Sequence, residues 1–172
     1  MYRVCYTKYD SYIFCDYYCG CCRAWLRHGP VNSNGYTLDD QILSDPEITE
    51  AIDQHKTVEK SCHITNTDRS SFARISGVIA AKYGDKGFTG KLKFHLTGGA
   101  GQSFGAFLGQ GMEVKLVGYG NDYVGKGMAG GKLVLTPPAA ANLVSAVVGN
   151  TVLYGATGAE ECFECGTLVA QL

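Results

Sequence analysis

From Gly90 onward the chain repeats itself every 20 to 21 residues, and this period restricts the fold more than any other feature. Leu92, Met112, Leu133 and Leu153 take equivalent places by this count. So do Phe94, Val114 and Leu135. A second pair of columns follows: Phe104, Val124 and Val144, then Leu108, Met128 and Val148. Between the apolar columns Gly98 recurs as Gly118, Gly105 as Gly125, and Gly111 as Gly131. Each unit opens with a strand-like alternation. Leu92, Phe94 and Leu96 face one way while Lys91, Lys93 and His95 face the other, and Met112, Val114 and Leu116 repeat the pattern. A fixed period near 20 with alternating strands and corner glycines reads as a β-solenoid, in which each coil buries its apolar face only against the next.

The glycines also form two phosphate-loop patterns. In "GYGNDYVGKGMAGGK", Gly120 to Lys126 fits G-x-x-x-x-G-K, and Gly125 to Gly130 fits G-x-G-x-x-G. Such a loop must run from a strand into a helix whose N-terminus meets the phosphates. Here "KLVLTPP" follows, a strand ending in two prolines, and Gly127 stands where Ser or Thr would reach magnesium. The glycines therefore read as coil corners, not as a nucleotide cradle.

Two short helices are expected ahead of the repeat. Asp45-Pro46-Glu47 starts the first, with Ile48, Ala51 and Ile52 as its apolar face. The second lies in "TDRSSFARISGVIAAKYG", with Phe72, Ile75, Val78 and Ile79 on one side, Gly84 as C-terminal cap, and Ala80 and Ala81 suited to close packing. Between them "TVEKSCHI" alternates as a strand.

A net charge of −1, with 15 basic against 16 acidic residues, gives no footprint for nucleic acid or an acidic membrane. No apolar run is long enough to span a bilayer, and no signal-peptide pattern opens the chain, so a cytoplasmic setting is expected. Residues 1–30 differ in kind: they hold five of the eight cysteines and six of the eleven tyrosines without sustained periodicity. They read as an unplaced segment outside the fold.

The stretches "GAGQSFGAFLGQGMEVKLVGYGNDYVGKGMAGGKLVLTPP" and "VVGNTVLYGATG" resemble the C-terminal GXGXG domain of the glutamate synthase large (alpha) subunit. The likeness extends upstream through "NSNGYTLDDQILSDPEI" and covers roughly residues 31–159, leaving 160–172 as a divergent tail. A related solenoid occurs in a subunit of formylmethanofuran dehydrogenase. The resemblance implies a mainly β fold, a right-handed parallel β-helix of single-strand coils, acting as an architectural domain. It also implies that Gly101, Gln102, Gly105, Gly118, Gly120, Asn121, Asp122, Gly125, Gly127, Gly130 and Gly131 carry a structural motif, with no catalytic, cofactor-binding or metal residue among them. The family enzyme makes glutamate from glutamine and 2-oxoglutarate, using an N-terminal cysteine, FMN and an iron–sulfur cluster. No counterpart of those parts is recognisable here, so this chain is expected to hold no cofactor and to be inactive alone. Its partners would be the remaining domains of the enzyme, in the cytoplasm or in a plastid if the source is photosynthetic. The short tail is expected to leave the last coil open to self-association.

Two other readings compete: an independent solenoid scaffold that docks a redox enzyme, and a small cysteine-based metal or redox protein. For the latter, Cys19/Cys22 and Cys162/Cys165 form C-x-x-C pairs, but 139 residues separate them, far from zinc-ribbon spacing. His28, His55, His63 and His95 show no ligand spacing, and His95 falls on the outward side of its strand. Asn121 and Asp122, beside a glycine corner, are expected to bond local backbone.

Overall fold

The computed structural model describes residues 35–138, 147–158 and 160–163, the last four as backbone only. Residues 1–30, Val144, and Cys19, Cys22 and Cys165 of the C-x-x-C pairs lie outside the described residues.

Among the described residues three helices precede or interrupt the sheet: α1 (Leu38–Leu43), α2 (Pro46–Asp53) and α3 (Ala73–Tyr83). The first was not expected, although its start is written in the sequence. Thr37 Oγ1 accepts from Asp40 N, and Asp40 Oδ2 accepts from Thr37 N, a reciprocal cap formed by Thr-x-x-Asp. Helix α2 begins as expected: Asp45 Oδ1 accepts from Glu47 N at 2.9 Å, Pro46 occupies the first turn, and Ile48, Ala51 and Ile52 are buried.

Helix α3 is shorter than its apolar pattern. Phe72 stands ahead of it with φ +76 and is fully buried, in ring contact with Phe94 at 5.0 Å. Ile75 and Ile79 are buried, whereas Ala80 and Ala81 are exposed, so those alanines do not mark a packed face. Gly84 closes the helix with φ +66, as expected.

Five strands form one sheet in sequence order: β1 (Thr57–Ile64), β2 (Lys91–Gly99), β3 (Met112–Tyr119), β4 (Lys132–Thr136) and β5 (Glu160–Phe163). Every neighbouring pair is parallel. The fold is therefore mainly a parallel sheet with a few short helices. Strand β1 is the expected "TVEKSCHI", and it lies before α3 so that a helix interrupts the strand series.

The register corrects part of the repeat. Leu92 pairs with Met112 and Phe94 with Val114, but Leu133 lies opposite Val114 and Leu135 opposite Leu116. A slip of two residues keeps every side chain on its face, so periodicity alone cannot detect it. Leu153 is not in a strand at all: it has φ +58 within the turn that follows β4, and Leu133 pairs with Glu161. Extra chain after Pro138 lengthens this unit, shifting every later residue out of a constant period. The partners of Phe104 and Val124 in the next unit are thus near Val152, and those of Leu108 and Met128 near Ala156, not Val144 and Val148.

The inner face of the sheet is the core. Leu92, Leu96, Met112, Leu116, Leu133 and Leu135 are all 0–1% exposed. Such burial contributes about 1.5–3 kcal/mol per side chain before entropy is charged against it.

Candidate functional site

The glycine-rich turns after β2, β3 and β4 stack on one another. Ser103 N donates to Asp122 O at 2.8 Å and Tyr123 N to Asn150 O at 3.0 Å. In the reverse sense, Gly105 N donates to Ser71 O, Gly125 N to Phe104 O and Leu153 N to Val124 O. Phe107 N then donates to Lys126 O and Gly127 N to Tyr154 O. These bonds line up three columns of residues with positive φ: Ser70, Ser103, Tyr123 and Thr151; Phe72, Gly105, Gly125 and Leu153; Phe107, Gly127 and Gly155. Within one turn, Lys126 N donates to Tyr123 O and Met128 N to Gly125 O, which makes Gly125 and Gly127 the third residues of two successive tight turns. That position calls for positive φ in a type II turn, and the sequence supplies glycine at both.

The other motif positions lie along the same stack. Gly98 and Gly118 pair where strands give way to turns, and a Cβ on Gly118 would sit 1.7 Å from Gly98 O. Gly101 lies against Asp68 O and Asn66 O, while Gln102 O accepts from Ser70 N at 2.9 Å. Gly120 packs beside Val124 and donates its N–H to Val147 O at 2.7 Å. Gly130 and Gly131 pass over Gln110 and Gly109. Asn121 Nδ2 donates to Asn66 Oδ1 at 2.9 Å, and its Oδ1 accepts from Asp122 N. Asp122 Oδ1 accepts from Asn150 N at 2.7 Å, so Asp122 bridges adjacent turns while Asn121 reaches past the turn after β2 to the one after β1. The sequence anticipates backbone bonding at this pair, but not the reach to Asn66, which is 55 positions away.

The phosphate-loop patterns meet this geometry directly. The loop runs from β3 into β4, not into a helix, and the N–H groups of Gly120, Asp122, Tyr123, Gly125, Lys126, Gly127, Met128 and Ala129 all donate within the protein. Lys126 Nζ stands 5.6 Å from the Tyr123 ring centroid. The described residues do not fit a flavin phosphate through these amides. They do not fit an iron–sulfur cluster either: among them Cys62 alone is a described thiol, half-buried, and burial pushes it up from its ordinary pKa. Among the described residues no group of three or more His, Cys, Asp or Glu stands close enough to hold a metal.

The outward face of the sheet is charged in register. Glu59, Lys93, Glu113 and Lys132 follow one another across β1 to β4. Glu113 lies 3.8 Å from Lys91 and 3.9 Å from Lys93, and His95, outward as expected, pairs with Glu59 at 2.9 Å. Two shallow depressions of ≈ 370 and ≈ 400 Å³ lie on this face, both bordered by His95 and Lys115. At such exposure the ion pairs favour this register weakly.

A parallel sheet whose connecting turns stack through glycine columns defines a domain built from repeated strand–turn units. The family described as "GXGXG motif" matches residues 39–167, and the chain belongs to that family. It is 54% identical over 138 residues to a ferredoxin-dependent glutamate synthase, chloroplastic, of Oryza sativa subsp. japonica, a match covering 78% of this chain and 8% of the relative. It is 55% identical over 138 residues to the chloroplastic enzyme of Spinacia oleracea, with the same coverage of each chain. It is 52% identical over 139 residues to ferredoxin-dependent glutamate synthase 2 of Synechocystis sp., covering 79% of this chain and 9% of the relative. The chain thus spans less than a tenth of the length of the curated relatives it matches. No described helix is long and apolar enough to cross a membrane.

Proposed function

We propose that this chain is the non-catalytic structural domain of a glutamate synthase, a right-handed parallel β-helix that braces the parts of the enzyme carrying the chemistry. The observation that carries the proposal is the engagement of the motif in stacking: its amides, its glycine Cα atoms and the Asn121–Asp122 pair are taken up by neighbouring turns. Similarity to ferredoxin-dependent glutamate synthases supports a glutamate synthase as the parent, and the family resemblance implies glutamine and 2-oxoglutarate as its reactants. In this reading FMN and the iron–sulfur cluster belong to other regions of the enzyme, and those regions are the partners of residues 31–159. A plastid setting accords with the chloroplastic relatives, a cytoplasmic one with a non-photosynthetic source. The reading does not require self-association, since the partners it names are other regions of the same enzyme.

The test is direct. Purified chain, offered FMN, glutamine, 2-oxoglutarate and reduced ferredoxin, should retain no stoichiometric flavin absorbance after gel filtration and form no glutamate above background. Retained flavin or turnover would replace a bracing role with a catalytic one.

A further inference from the structure

Phe107 occupies a backbone conformation that favours glycine, and the residue is more than half exposed. Its φ is +57, in the column whose next two members are Gly127 and Gly155, and it is 57% exposed. A Cβ there costs conformational energy that glycine would not. Partial packing gives the ring some use to the fold, because it lies against the Cα of Gly127, where a Cβ would be 2.7 Å from the ring. That contact leaves most of the apolar surface uncovered. Tyr154, two turns beyond Phe107, is 61% exposed, and its carbonyl accepts from Gly127 N. Tyr154 meets Tyr123 edge-to-face at 6.5 Å, and Lys126 stands over Tyr123. Phe107 and Tyr154 thus flank Gly127 from the turns on either side of it, with the half-buried Tyr123 against Tyr154, a grouping of aromatic rings of the kind that interfaces favour.

We infer that this grouping is the docking surface through which the domain meets the rest of its own polypeptide, by an apolar patch on a flanking region. The inference rests on the bracing role proposed above. The occupant follows from length: in the relatives the matched region is about 8% of the chain, so a far larger body of protein is tethered to it at high effective concentration. The outward sheet face is the weaker choice, because its charges are already matched in register with one another.

Hydroxyl-radical footprinting read by mass spectrometry tests this on two objects. One is this chain alone; the other is the full-length rice enzyme with its matched 138 residues replaced by those of this chain. Oxidation of Phe107 and Tyr154 should fall at least about tenfold in the full-length protein, with His95 on the sheet face changing by less than twofold. If the hybrid makes glutamate but Phe107 and Tyr154 oxidise as fast as in the isolated chain, the docking surface is overturned while the bracing role stands. If the hybrid folds yet makes no glutamate, the bracing role falls and the surface with it. A second measurement needs no hybrid. Phe107→Gly in this chain should leave its melting temperature unchanged or higher. A fall of more than about 5 °C would show that the ring serves the chain's own fold and overturn the inference.

Discussion

Asp39 caps a helix to which it does not belong. Its Oδ1 accepts from Phe72 N at 2.7 Å and its Oδ2 from Arg74 N at 3.0 Å, across more than thirty residues, at the start of α3 where no local side chain provides a cap. Asp40 adds an ion pair to Arg74. The two aspartates thereby fasten α1 to the segment that enters the turn columns. Asp39→Ala leaves the buried Phe72 N–H without its acceptor and should cost about 1–3 kcal/mol, read as a shift in the urea midpoint at unchanged slope. Asp39→Asn keeps one acceptor and should fall between. Equal stability of all three proteins would refute the cap.

The same carboxylates set the acid limb of stability. Side-chain and backbone bonding to Thr37 hold Asp40 below the ordinary range, Lys60 does so for Asp45, and Lys56 for Glu50. A depressed carboxylate contributes stability that is present above its unfolded pKa and is lost as pH falls through the folded value. Asp39 acts in the opposite sense, since burial raises it despite the Phe72 and Arg74 amides, so its contribution weakens as pH rises from 3.8 through its folded value. Melting temperature should therefore drop below about pH 4. The drop should be shallower in Asp40→Asn/Asp45→Asn. A flat profile from pH 5 to pH 2 would count against these pairings.

Glycine-to-lysine contrasts in the turn are equally testable. Gly118→Ala would place Cβ 1.7 Å from Gly98 O and should cost more than about 4 kcal/mol or prevent folding. Gly125→Val forces a β-branched residue to φ +68 and should cost about 1–3 kcal/mol. Lys126→Ala loses one half-buried aromatic contact and should stay within about 1 kcal/mol. Saturable ATP or NAD binding by calorimetry, abolished in Lys126→Ala, would reassign the loop to a nucleotide.

Two leucines separate the true core from the repeat as counted. Leu116, fully buried among the β-strand columns, should cost about 2–5 kcal/mol on truncation to alanine. Leu153, half-buried in a turn, should cost less than about 1.5 kcal/mol. Equal losses would place Leu153 back among the strand columns.

What the sequence discloses and what it withholds divide along physical lines. Alternation in β2 and β3, the Asp45-Pro46 start and the recurrence of Gly98 as Gly118 are local signals, and each is found where it was read. The pairing of Leu133 with Val114 was hidden because a two-residue slip preserves facing. Leu153 was misassigned because a period assumes equal unit lengths. Phe72 reads as a helical residue because its apolar spacing fits a helix, while the distant carboxylate that starts α3 one residue later leaves no local trace. In the turns, the glycines point to corners, but non-glycine members of the positive-φ columns, such as Ser103, Phe107 and Tyr123, carry no composition signal.

The uneven spacing of the strands bears on how the chain folds. Successive partners are 34 residues apart from Thr57 to Lys91, 20 from Leu92 to Met112, 19 from Glu113 to Lys132 and 28 from Lys132 to Glu160. Closing the longest of these loops costs only about 0.5 kcal/mol more than closing the shortest. Entropy thus gives only a slight head start to the middle pairings, β2 with β3 and β3 with β4. The buried leucines and the stacked turns reinforce that preference, so the centre is where ordering would begin, with the α3-bearing unit and the lengthened last unit zipping on from either side.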